Sequence, residues 1–153
     1  MKIKEIKKRI NNALDRLYDV DQFIIDNDLC ERCINFRFAL HLQNNFPEYF
    51  VDCEYNKSHI GLINDQKRVL DTGNGNFIDI IIGKRSRSPK DDFICFETKK
   101  SNSNDVLGIE NDINKLKILT SGGQFDYKYG FKIVFSLLRK DVILETYKKA
   151  KLL

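Results

Sequence analysis

A chain of 153 residues with 42 % hydrophobic and 31 % charged side chains is long enough to bury a core and too apolar to stay disordered. No apolar run approaches the roughly 20 residues that span a bilayer, and the basic stretch Met1 to Arg9 lacks the apolar segment of a signal peptide, so one cytoplasmic domain over 1–153 with no membrane partner is expected. A net charge of +4 is compatible with a polyanionic partner without demanding one.

Ile3, Ile6, Ile10, Leu14, Leu17 and Tyr18 recur at helical spacing between charged residues and predict an amphipathic helix over about 2–18. A second helix is predicted from near Asp28 to before Pro47, with Leu29, Cys33, Phe36 and Leu40 as its apolar positions. Residues 49–55, rich in aromatic and β-branched side chains, read as a strand. A polar stretch over 56–76 follows, with turn chemistry at Asp71 to Asn76 and short apolar pieces at 60–63 and 69–70. Residues 77–82 form an apolar run broken by one aspartate, expected to be a strand buried on both faces. A basic loop over 83–92 leads to a strand at 93–99 that turns charged at its end. Ile109, Ile113, Leu116 and Leu119 mark a third helix closed by Gly122-Gly123, and 131–137 a further strand. The segment after it reads equally as strand or helix. The strand–helix–strand unit near the end predicts a mixed sheet with a right-handed crossover and helices on both faces.

Cys30 and Cys33 have CxxC spacing, but Cys53 and Cys95 stand alone and no histidine pair accompanies them, so reduced, mostly buried thiols are expected rather than zinc ligands. His41 and His59 lack partners at a telling spacing and are assigned structural or surface roles. Lys115 and Lys117 are assigned to the wet face of the third helix, and Tyr127 and Tyr129 to packing in preference to base stacking.

Two carboxylates interrupt apolar strands. Asp79 lies between Ile78 and Ile80, and an unpaired ionised group there is costly to bury. Glu97 and Lys99 are two apart on the next strand, so they share one face about 7 Å apart along the backbone. Two carboxylates about 4 Å apart repel by roughly 4 kcal/mol at an effective dielectric near 20, and a divalent cation between them reverses the sign. Oxygen ligands favour Mg²⁺ or Mn²⁺. Such an ion polarises a phosphodiester and acidifies water, while a lysine orients or deprotonates that water or neutralises charge on the phosphate.

Asp79, a hairpin-sized gap and then Glu97-Thr98-Lys99 resembles the D…ExK core of the PD-(D/E)XK, or restriction-endonuclease-like, nucleases. The likeness covers the element order over about 28–137, leaving 1–27 as a helical extension. It implies a mixed β-sheet flanked by helices, with an extra N-terminal helix. It further implies Asp79 and Glu97 as metal ligands, the Thr98 carbonyl as a third, Lys99 as the catalytic lysine, and Glu31 as the glutamate that the helix before the sheet often adds. Mg²⁺ or Mn²⁺ would be the cofactor and nucleic acid, DNA first, the partner; junction-resolving members would need a homodimer. Ile78 stands where the family often has proline, a variation it tolerates.

Each of these residues has a plainer reading. Asp79, Glu97 and Lys99 also suit a structural ion-pair cluster or a lost active site, in which case the chain is a non-catalytic nucleic-acid-binding or interaction module. If Asp28 is the N-cap of the second helix, Glu31 falls at N3 and completes a capping box. Lys84, Arg85, Arg87 and Lys90, with Lys100 after the motif, suit phosphate contacts near the site or a solvated basic loop.

Overall fold

The computed structural model describes residues 1–55, 77–85, 92–122 and 125–153. Ile6, Ile10, Leu14 and Leu17, spaced three or four apart, are fully buried along α1 (Ile3–Val20), as their period predicts. A short helix that the sequence reading missed, α2 (Gln22–Asp26), turns the chain into α3 (Glu31–Asn45). There the predicted apolar stripe lies on the wrong side. Cys33, Phe36 and Leu40 are exposed, and Ile34, Phe38, Ala39 and Leu42 face inward. Apolar residues occur around the whole circumference of α3, so its own pattern does not select a face. The neighbours do, because α1 and the sheet both pack on the Ile34–Phe38–Leu42 side.

Among the described residues six strands follow: β1 (Phe50–Tyr55), β2 (Ile78–Gly83), β3 (Asp92–Lys100), β4 (Tyr129–Phe135), β5 (Ile143–Lys148) and β6 (Lys151–Leu152). They lie side by side in chain order, and only β3 and β4 run parallel, joined by α4 (Val106–Leu119). A parallel pair needs such a crossover, whereas its antiparallel neighbours need only turns. The segment after β4, open in the sequence between strand and helix, forms the β5–β6 hairpin. Aspartate at position 105 caps α4 by accepting the Gly108 N–H at 2.9 Å. The helix stops at Leu119, and Gly122, with φ of +83°, follows where a left-handed backbone favours glycine. Residues 60–63, 69–76, Arg87, Lys90, His59 and Gly123 lie outside the described residues.

The architecture is mixed α/β, with a six-stranded sheet between two layers of helix. On one face α1 and α3 close over Ile80, Ile82, Ile94, Phe96, Phe131 and Ile133. The Phe38 ring meets Phe96 and Phe135 edge-on, at 6.1 and 5.7 Å between centroids. On the other face α4 buries Leu116 and Leu119 against Ile78, Ile81, Cys95, Tyr127 and Tyr147. Strand β2 contributes to both clusters, as expected of a run buried on both faces. Tyr127 and Tyr129 are buried packing residues. No helix among the described residues is long and apolar enough to cross a membrane.

The α1–α2 junction is fixed to α3 through Asp21. Its carboxylate oxygens lie 2.6 Å from His41 Nε2 and accept Arg37 Nε–H at 2.7 Å, so His41 has a structural place. Burial works against the charged carboxyl, but the bonds from His41 and Arg37 outweigh it and hold its pKa below the usual range. A depressed carboxyl stabilises the fold above its unfolded pKa, about 4, and loses that contribution as pH falls through the folded value. Asp21→Asn is therefore expected to cost about 2 kcal/mol at pH 7 and much less at pH 3. Urea unfolding at the two pH values checks this, and an equal cost at both would contradict it.

Candidate active site

The β2–β3 ladder runs from Gly83↔Asp92 to Ile80↔Phe96 and goes no further. One residue beyond, the Asp79 side chain takes over: its Oδ2 accepts the Thr98 backbone N–H at 2.8 Å. A strand residue turns its N–H and C=O to the same edge. The Thr98 carbonyl therefore opens toward the same end of β2. Thr98 Oγ1 stands 3.0 Å from Asp79 Oδ2 and 2.8 Å from Asn35 Oδ1 on α3. One hydroxyl proton cannot serve two acceptors, so the cluster is satisfied with the Asn35 amide turned to donate and the hydroxyl donating to Asp79. Asp79 is thus held by Thr98, which is itself tied to α3 through Asn35.

Glu97 and Lys99 point to the opposite face, toward α4. Glu97 is only 1 % exposed, and its Oε2 accepts from Lys115 Nζ at 2.6 Å. Lys115 also donates to the Phe77 carbonyl at 3.0 Å. Lys99 Nζ lies 3.5 Å from Asp112 Oδ2, and Lys115 Nζ lies 3.8 Å from Asp112 Oδ1. Glu31, half-buried at the first residue of α3, stands close enough for Lys99, Asp79 and Asp112 all to act on its charge. Four carboxylates and two lysines therefore gather where α3, β2, β3 and α4 meet.

Their electrostatics follow from that crowding. Burial first, and Asp79 second, push the Glu97 carboxyl well above its ordinary pKa, against the pull of Lys115. Burial also raises Glu31 and Asp112, with Lys99 opposing it in each. For Lys99 burial acts downward, but Asp112, Glu31 and Asp79 together overcome it and hold the ammonium above its usual value. Lys99 is a firm cation at neutral pH. Glu97 Oε1 and Asp112 Oδ2 are buried with no hydrogen-bond partner among the described residues. A buried carboxylate oxygen left unsatisfied is costly unless something else completes it.

In the structure Asp79, Glu97, Thr98, Lys99 and Glu31 lie in one cluster. The environment expected for Glu31 is corrected. The N-cap of α3 is Cys30, so Glu31 is at N1 and no capping box forms. Asp28 instead has φ of +51°, and its carboxylate accepts from Lys100 Nζ at 2.5 Å and Asn102 Nδ2 at 3.1 Å. Lys100 also donates to the Leu29 carbonyl at 3.3 Å. It thus clasps the turn that delivers Glu31.

Lys84 and Arg85 follow β2 at its other end, roughly 17 Å along the strand from Asp79. Lys84 is exposed, while Arg85 is paired with Asp52 at 2.6 Å and lies over the Phe50 ring. Lys115 is not on the wet face of its helix but buried, whereas Lys117 is exposed as expected. The sequence reading gives Asp112 no role and Lys115 the wrong face, although Asp112-x-x-Lys115-Leu116-x-x-Leu119 is the i, i+3, i+4, i+7 frame of a buried helix face. Read in that frame, the two charges fall on the inner side with the leucines.

The fold and site define a mixed α/β chain with an acidic cluster, crossed by two lysines, at the point where two strands part. Comparison with models of known families, with curated proteins and with solved structures gives no match for this chain.

Proposed function

We propose that the chain is a restriction-endonuclease-like, divalent-metal-dependent nuclease that hydrolyses phosphodiester bonds in DNA. The observation that carries this reading is the gathering of Asp79, Glu97, Lys99 and Glu31 from three separate elements, with Asp79 acting on the charge of each of the other three, beside Glu97 Oε1, a buried carboxylate oxygen without a partner among the described residues.

The donor set fits a hard cation. All candidate ligands are oxygens, as Mg²⁺ and Mn²⁺ require. No three His, Cys, Asp or Glu groups among the described residues stand at metal-ligand spacing. Mg²⁺ does not need three, because it is usually held by one or two carboxylates with water and substrate phosphate completing its shell. Asp79 and Glu97 would hold the ion, with the Thr98 carbonyl beside them. When bound, the ion supplies Lewis-acid activation of the phosphodiester and a more acidic water. Lys99, cationic among Asp112, Glu31 and Asp79, offsets negative charge as it builds on the phosphate. Glu31 holds the Lys99 side of the cluster and can take up a proton there.

A second reading rests on Lys115. Its 2.6 Å contact with a fully buried Glu97 is what a purely structural ion pair would show, and favours a non-catalytic nucleic-acid-binding or interaction module of the same fold. Incubation of the purified chain with supercoiled, linear and single-stranded DNA in Mg²⁺ or Mn²⁺ separates the two. Cleavage abolished by EDTA and by Asp79→Ala is expected. DNA binding that weakens steeply with salt, with no cleavage under either ion, would establish the module instead.

A further inference from the structure

Two of the four cysteines stand outside the core. Cys95 is buried and Cys53 half-buried, but Cys30 and Cys33 are exposed, which corrects the expectation of mostly buried thiols. Cys30 is the N-cap of α3 and Cys33 the third residue of its first turn. Side chains three apart at a helix start rise on one side, and here the two sulfurs lie 3.1 Å apart. The Cys33 N–H donates to the Cys30 carbonyl at 2.9 Å, so the backbone already holds the turn that keeps the pair together. A disulfide needs about 2.0 Å between sulfurs. Closing the pair takes a shift of about an ångström in two short side chains, without moving an element. No third His, Cys, Asp or Glu stands with them at metal-ligand spacing among the described residues.

We propose that Cys30 and Cys33 form a redox-active dithiol that exchanges with low-molecular-weight disulfides and closes an intrachain disulfide at the start of α3. One cysteine, as thiolate, attacks a sulfur of the small disulfide; that S–S bond breaks and the displaced thiolate leaves with the electron pair. The second cysteine then attacks the mixed disulfide, expelling the other small thiol and passing its proton to the medium. Two cysteine thiols are oxidised by two electrons, and one small disulfide is reduced to two thiols. The ring so closed contains Glu31. The dithiol itself does not depend on the nuclease reading, because its readout is the state of the sulfurs.

The test uses the full chain, reduced and oxygen-free, exposed to oxidised glutathione, quenched with N-ethylmaleimide at intervals and mapped by mass spectrometry after unfolding. A Cys30–Cys33 disulfide is expected, forming at least about tenfold faster than any modification of buried Cys95. Cys30→Ser and Cys33→Ser chains should each stop at a mixed disulfide on the remaining cysteine. Mixed disulfides that persist on the native chain without ring closure would overturn the proposal. So would Cys30 and Cys33 reacting no faster than Cys95.

Discussion

Lys115→Met is expected to lower the stability of the fold by about 3–5 kcal/mol at neutral pH, as removal of one partner of a buried ion pair does. Lys115 Nζ is 2.6 Å from Glu97 Oε2, and Glu97 is only 1 % exposed. Methionine matches the length and apolar stem of lysine, so the loss measures the missing charge more than a missing volume. Without the ammonium, Glu97 must either stay ionised beside Asp79 or take up a proton. Burial and Asp79 already raise its folded pKa, and losing Lys115 raises it further. A raised carboxyl binds its proton more tightly folded than unfolded. The deficit is therefore smallest below the unfolded value, about 4, and grows as pH rises through the folded one. Urea unfolding of both chains at pH 5 and pH 8 tests the size and the sign. The double variant Glu97→Gln with Lys115→Met should recover much of the loss, since neither residue then leaves a buried charge. A loss under 1 kcal/mol, or one independent of pH, would show that solvent reaches the pair.

The strand half of the site was legible because its anomaly is one-dimensional. A single carboxylate in Phe77–Ile82, and an apolar run ending in Glu97-Thr98-Lys99, stand out against their own neighbours, and the hairpin then places them side by side. The helical half was not. On α4 the charged residues alternate with apolar ones as on any amphipathic helix, and Asp112 and Lys115 separate from Glu110 or Lys117 only once the buried face is known. The same ambiguity put the apolar stripe of α3 on Cys33, Phe36 and Leu40. Those residues do keep helical spacing, but burial is decided by α1 and the sheet. Asp28 shows a third limit. Its spacing to Glu31 satisfies a capping box, yet Lys100 and Asn102, more than seventy residues away, recruit its carboxylate and the helix starts later. Local rules identified the longer helices and β1 to β4, missing α2 and leaving the β5–β6 hairpin open; partners distant in sequence decided which side chains each element spends inward.

Lys99→Ala is expected to reduce DNA cleavage by 10²- to 10⁴-fold, about 3–5 kcal/mol of barrier, with little effect on folding. The two effects separate because Lys99 is partly exposed and its nearest carboxylate, Asp112, is 3.5 Å away and keeps Lys115 at 3.8 Å, so Lys99→Ala leaves no buried carboxylate without a cation beside it. Lys115→Met does the reverse and acts first on the fold. If Lys99 works as a cation, as its raised pKa among three carboxylates indicates, Lys99→Arg should retain more activity than Lys99→Gln, although neither restores the native rate. A lysine acting as a neutral base would leave the two variants equally inactive, because neither a protonated guanidinium nor an amide can take up the proton. Single-turnover cleavage of the preferred DNA form, at saturating Mg²⁺ and with unfolding curves for each variant, distinguishes these cases. A drop of less than tenfold in Lys99→Ala would remove Lys99 from the catalytic group and leave Glu31, Asp112 and Lys115 as the residues around which the chemistry would have to be argued.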